Sequence, residues 1–198
     1  ILKVFTMTKK ILVVSGHPKP DSLCEHLADT YAKAAGESHS VRLLKLSELE
    51  FEPNLARGYH QQQPLEADLQ RFQQAILWAE HVVIVVPIWW GSVPAKFKGL
   101  IDRTFLPGFA FQYQQGKTFP NRLLKGKTSR IIMTMDTPPW YYKWFQGAPA
   151  LKQLDIATLV FSGFKRAKSQ MLGPVINAKA LQVQNWQAQV ERQGRLGR

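Results

Sequence analysis

His81-Val82-Val83-Ile84-Val85-Val86-Pro87-Ile88-Trp89-Trp90-Gly91-Ser92-Val93-Pro94-Ala95 contains a strand, a turn and the start of a helix. Val82 to Val86 has no polar alternation, is rich in β-branched residues and is stopped by Pro87, which describes a strand buried on both faces. Ser92 and Pro94 then supply helix-start chemistry for Phe97, Leu100, Ile101 and Phe105 at helical spacing, up to a break at Pro107-Gly108. Two adjacent tryptophans stand between the elements, at the carboxyl end of the strand rather than inside it.

The same alternation continues on both sides. Lys9 to Ser15 reads as a first buried strand closed by Gly16. Asp21 and Ser22 then offer N-cap chemistry to an apolar stripe of Leu23, Cys24, Leu27, Ala28 and Tyr31 that ends near Gly36. Val41 to Leu46 predicts a second strand, and Leu65, Leu69, Phe72, Ile76 and Ala79 an amphipathic helix. Downstream, residues 106–127 form a long ordered excursion without periodicity. Ser129 to Met135 is a fourth strand, Pro149 to Phe161 a helix stopped at Gly163, Lys168 to Leu172 a fifth strand, and Asn177 to Arg192 a terminal helix. Right-handed crossovers between parallel strands place such helices on both faces of one sheet. The expected fold is a doubly wound α/β domain with a five-stranded parallel sheet, spanning 1–198 as one unit. Residues 1–8 read as an unordered or extraneous leader, with Met7 a candidate start.

At 198 residues and 45% hydrophobic, the chain is large enough for one substantial core. Its apolar runs are far shorter than the roughly 20 residues of a membrane span, and no secretory pattern is visible. One cysteine, Cys24, permits neither an internal disulfide nor a CxxC site, so no metal is indicated and a reducing cytoplasm is expected. The net charge of +12, from 26 Lys and Arg against 14 Asp and Glu, favours anionic ligands without naming one. The basic residues are scattered, and no nucleic-acid reading motif accompanies them, so nucleic acid is not an expected partner.

In an open α/β sheet the ligand crevice lies beyond the carboxyl ends of the strands. After the first strand, Gly16-His17-Pro18-Lys19-Pro20-Asp21-Ser22-Leu23-Cys24 puts helix N-terminal amides, a hydroxyl, a histidine and a lysine in one turn, which is a phosphate cradle or merely a capped helix start. It is neither GxGxxG nor a P-loop. After the third strand, Trp89 or Trp90 is available to lie against a planar ligand, or both form a plain aromatic cluster. After the fourth, Thr134-Met135-Asp136-Thr137-Pro138-Pro139-Trp140-Tyr141-Tyr142 is a polar turn running into aromatics.

His17 with Ser22-Leu23-Cys24, and Pro87-Ile88-Trp89-Trp90 followed by Val93-Pro94-Ala95 and Lys98-Gly99, resemble the NAD(P)H:quinone reductases, flavodoxin-like flavoproteins. The resemblance extends over nearly the whole chain. It is also close to the flavodoxin-like regulatory subunits of glutathione-gated potassium efflux systems. It implies that His17, Ser22, Leu23 and Cys24 hold the flavin phosphate end, that Pro87, Ile88, Trp89, Trp90 and Gly91 bed the isoalloxazine, and that Thr134, Met135, Asp136 and Thr137 meet its pyrimidine side. Hydride would pass from NAD(P)H to the flavin, and two electrons onward to a quinone-type acceptor, in a ping-pong cycle. The cofactor is FMN or FAD, with FMN favoured; the co-substrate is NADH or NADPH. Many relatives carry Thr-Thr-Gly-Gly followed by a Tyr and a His where this chain has Thr134 to Pro139 and no following His. Tyr141 and Tyr142 are then the candidate catalytic donors, and Asp136 is expected to point away from the ring or to bind the ribityl chain. Gly108-Phe109-Ala110-Phe111-Gln112-Tyr113 resembles the family's capping loop, so Phe111 and Tyr113 either reach into the pocket of a partner in a homodimer or close the monomer core. The alternative implied function is a flavin-binding subunit that docks on a membrane transporter, with the transporter as partner.

Overall fold

A computed structural model describes residues 8–61 and 63–198; the expected leader, apart from Thr8, lies outside the described residues. The main sheet comprises β1 (Lys10–Ser15), β2 (Ser40–Lys45), β3 (His81–Pro87), β6 (Thr128–Thr134) and β7 (Lys168–Leu172). Their order is β2-β1-β3-β6-β7, and every pairing is parallel. The order reverses between β1 and β3, the switch point at which such sheets open a crevice.

Alternation along the strands divides the core. Ile11, Val13, Val83, Val85 and Ile132 face α1 (Leu23–Gly36) and the terminal helix α6 (Ala180–Arg195). Leu12, Val14, Val82, Ile84, Val86, Ile131 and Met133 face α2 (Ala67–Trp78), α3 (Ala95–Thr104) and α5 (Pro149–Lys152). Successive residues of a strand point to opposite faces, so a sheet covered on both sides needs unbroken apolar strands. All seven residues of β3 are accordingly buried.

Three features were not expected. The excursion at 106–127 contains a small antiparallel ladder, β4 (Phe111–Gln112) with β5 (Asn121–Arg122). A short helix, α4 (Pro139–Trp144), follows β6. The helix expected over Pro149 to Phe161 starts as α5 and widens into a π-helix at Gln153–Val160. In that segment Thr158 Oγ1 donates to the carbonyl of Gln153, five residues back. Asp155 is buried, with its carboxylate held by Arg166 Nε at 2.9 Å and the Ala167 amide at 2.8 Å. Wide turns of this kind are rare outside functional or strained segments.

Residues 49–61 and 63–66 have little periodicity but are pinned from α3. Arg103 is fully buried, with Nη2 2.8 Å from Glu66 Oε2 and Nη1 3.2 Å from Glu66 Oε1; it also donates to the carbonyls of Pro64 and Glu52. Burial alone would raise the Glu66 pKa, but the hydrogen bonds from Arg103 and from backbone amides outweigh it and the pKa is lowered. Gly99, one helical turn away, lets the segment lie directly on α3: a Cβ there would stand 2.6 Å from the Pro53 carbonyl oxygen.

At the opposite end of the sheet from the crevice, His81 Nδ1 lies 2.8 Å from the Thr128 hydroxyl, while Nε2 is buried without a partner among the described residues. Burial, reinforced by Lys9, Arg130, Lys168 and His39, lowers the His81 pKa from 6.5 to about 4. Between those values the unfolded chain binds a proton that the folded chain refuses. Its contribution is therefore complete above pH 6.5 and is lost as pH falls toward 4, by roughly 2–3 kcal/mol. Urea unfolding at about pH 7.5 and about pH 4.5 should show that loss, and a smaller one in His81→Asn. Equal losses in both proteins would place the acid sensitivity elsewhere.

Candidate functional site

Three strand ends converge at the switch point. The turn after β1 begins at Gly16, whose amide donates to the Val85 carbonyl at 2.7 Å; a Cβ there would meet the Phe97 ring at 2.9 Å. His17 Nδ1 accepts from the Lys19 amide at 3.0 Å, so a neutral His17 carries its proton on Nε2. Burial is the main influence on His17 and lowers its pKa, favouring that neutral form. Ser22 caps α1, its Oγ accepting from the Glu25 amide at 3.2 Å. The amides of Leu23 and Cys24, in the first turn, have no acceptor within the helix and carry the positive end of its dipole.

Beyond β3 the chain makes a two-residue turn. Trp89 N donates to Ser92 O at 2.8 Å and Ser92 N to Trp89 O at 3.0 Å, around Trp90 at φ 51° and Gly91 at φ 76°. Positive φ at both central positions defines a type I′ turn, easy for Gly91 and strained for Trp90. The turn aims the two indoles differently. Trp89 is half-exposed and meets the His17 ring edge-on at 5.4 Å, whereas Trp90 is fully in solvent.

Beyond β6, Thr134 O accepts from the Ile88 amide at 2.8 Å, locking the second and third turns together. The Thr134 hydroxyl is buried against Cys24 Sγ at 3.1 Å. Burial, only partly opposed by that contact, pushes the Cys24 thiol up to about 12, which keeps it protonated at neutral pH. The Asp136 carboxylate accepts from the Ile176 amide at 2.8 Å. Met135 has both backbone groups committed, to Leu172 O and Val175 N.

His17, Ser22, Leu23, Cys24, Pro87, Ile88, Trp89, Thr134, Met135 and Asp136 line one cleft of about 340 Å³. Trp90, Gly91, Thr137 and Tyr142 line a second cavity of about 500 Å³ that shares Ile88. Two expectations do not fit this geometry. Tyr142 is fully buried, its hydroxyl donating to Gly91 O at 3.1 Å and accepting from Ala150 N at 3.0 Å. It braces the tryptophan turn and has no free proton to offer. Tyr141 stacks on Phe145 at 5.3 Å and lines neither space. Phe111 and Tyr113 are also elsewhere, in a separate apolar cavity of about 520 Å³ with Phe105 and Phe161. Phe111 is nearly buried and meets Phe161 edge-on at 5.1 Å, while Tyr113 is exposed.

Five lining residues were not among the candidates from sequence: Lys19, Asp21, Val175, Gln146 and Pro149. Lys19 stood in the quoted turn. Val175 arrives through the pairing of its amide with Met135 O, and Gln146 follows a helix too short to show a period.

The family model for the flavodoxin-like fold matches residues 9–193. The chain belongs to this family. An uncharacterised NAD(P)H oxidoreductase of Haemophilus influenzae is 26% identical over 170 residues, covering 83% of each chain. An FMN-dependent NADH:quinone oxidoreductase of Ruegeria pomeroyi is 25% identical over 162 residues, covering 73% of this chain and 75% of its own. The crystal structure of Smu.1420 from Streptococcus mutans superposes with a TM-score of 0.82 at 28% identity, covering 94% of this chain and 98% of that one. Membership of the flavodoxin-like family accounts for the strand order and for a cleft at the β1/β3 switch point.

Proposed function

We propose that this flavodoxin-like protein binds FMN in the cleft and carries two electrons from NAD(P)H to a quinone-type acceptor. The observation that carries the reading is the pairing, in one cleft, of a cationic helix start with an apolar aromatic bed. The first-turn amides of α1, with His17 and Lys19, suit a phosphate; Pro87, Ile88 and Trp89 suit a flat ring. That donor set fits FMN. The FMN-dependent quinone oxidoreductase relative and the NAD(P)H oxidoreductase relative point the same way.

When bound, FMN supplies the redox chemistry, accepting hydride from the nicotinamide and passing two electrons to the acceptor. The protein's task is to hold and orient. Neutral His17 would offer Nε2–H and Lys19 a full charge to the phosphate. Ile88 and Trp89 would exclude water from one face of the ring, and the polar backbone of residues 136–137 would stabilise negative charge on its pyrimidine side. The second cavity, bounded by Trp90, Thr137 and Gln146, would receive nicotinamide and acceptor in turn, and the exposed Tyr113 would cap the cavity of a second copy.

Titration of FMN fluorescence, followed by initial rates with NADPH and benzoquinone varied together, tests this reading. Quenching at micromolar protein and parallel double-reciprocal lines are expected, because donor and acceptor use one space in succession. Absence of FMN binding, or intersecting lines, would contradict it.

A further inference from the structure

We infer that the outward face of α4 is a docking surface for an anionic lipid bilayer. The helix reads Pro-Trp-Tyr-Tyr-Lys-Trp and buries only Tyr142. Trp140 is 59%, Trp144 74% and Phe145 73% exposed, and Trp140, Tyr141 and Phe145 pack on one another at 5.3–5.9 Å. Large exposed apolar patches mark interaction sites. The patch continues into a groove of about 620 Å³ in which Trp140 and Trp144 stand beside Lys143, Lys152 and Arg166.

Charge selects the occupant. Lys143 Nζ lies 5.0 Å from the centre of the Trp144 ring. The groove's one carboxylate, Asp155, is buried and already held by Arg166 and the Ala167 amide. An isologous contact between two copies through this face would set these cations against themselves. An anionic surface is complementary instead, and tryptophan and lysine together are the residues that settle at a headgroup boundary, rings in the acyl edge and ammonium groups among phosphates. No described helix is long and apolar enough to cross a membrane, so attachment here is to the surface.

Co-sedimentation of the whole protein with phosphatidylcholine vesicles, with and without about 30% phosphatidylglycerol, tests the inference. Binding is expected only to the anionic vesicles and should be abolished by about 0.5 M salt, where screening is nearly complete. Lys143→Glu and Lys152→Glu should each weaken it by roughly five-fold or more, and Trp144→Ser should weaken it comparably, with thermal midpoints unchanged because all three side chains lie on the surface. Failure to bind, binding indifferent to lipid charge, or variants that bind as the wild type would overturn the proposal. So would a wild-type dimer that Trp144→Ser converts to monomer, which would assign the face to a second copy.

Discussion

Ser22→Asp is expected to retain α1 and to weaken FMN binding about a hundredfold. Aspartate caps a helix as well as serine does, and its charge suits the helix dipole, so the fold should be unharmed. The same carboxylate would stand where the first-turn amides otherwise meet a phosphate. Two unit charges about 4 Å apart repel by about 4 kcal/mol at an effective dielectric constant of about 20, and partial solvent screening leaves roughly 2–3 kcal/mol, or about two decades of affinity. Riboflavin, which lacks the phosphate, separates the explanations: it should bind wild type and Ser22→Asp equally. Retention of wild-type FMN affinity by a folded Ser22→Asp protein would move the phosphate away from α1.

Arg103→Ala is expected to cost about 2–3 kcal/mol of folding stability: it strands two carbonyls that the guanidinium serves and empties a fully buried site, while water partly rehydrates the Glu66 carboxylate, whose side chain is 36% exposed. Arg103→Lys keeps the charge but cannot reproduce the fork that spans both Glu66 oxygens, so it should recover only part of the loss. Urea unfolding midpoints measure both. Residues 49–61 and 63–66 should become protease-sensitive in Arg103→Ala before the sheet unfolds, since their anchor to α3 is gone. A loss below about 1 kcal/mol would mean that water replaces the pair at little cost.

The fold was legible because a sheet covered on both faces demands uniform apolar strands, and Val82 to Val86 and Ile131 to Met135 have no other comfortable place. The site was legible to the extent that it lies at strand ends: the turns after β1, β3 and β6 are adjacent in sequence to the strands that aim them. What escaped depends on distance in sequence. Val175 enters the cleft through a pairing forty residues from Met135, and Gln146 follows six helical residues, too few to display a period. Tyr142 was misread for a physical reason: a tyrosine in a turn looks like a donor to a ligand, and only the three-dimensional placement shows its hydroxyl spent on Gly91 and Ala150. The π-helical turn at Gln153–Val160, where Asp155 meets Arg166 and the Ala167 amide, is likewise something that helical periodicity cannot express.

The central claim is that one cleft accepts electrons from NAD(P)H and releases them to a quinone. Anaerobic stopped-flow of the FMN-loaded protein separates the two halves, first with NADPH alone and then, after the donor is consumed, with benzoquinone, following the flavin absorbance near roughly 450 nm that the cofactor brings. The account predicts complete bleaching in the first half and complete recovery in the second, each faster than or equal to steady-state turnover. Bound FMN that NADPH leaves oxidised, or a reduced protein that benzoquinone does not reoxidise, would contradict it.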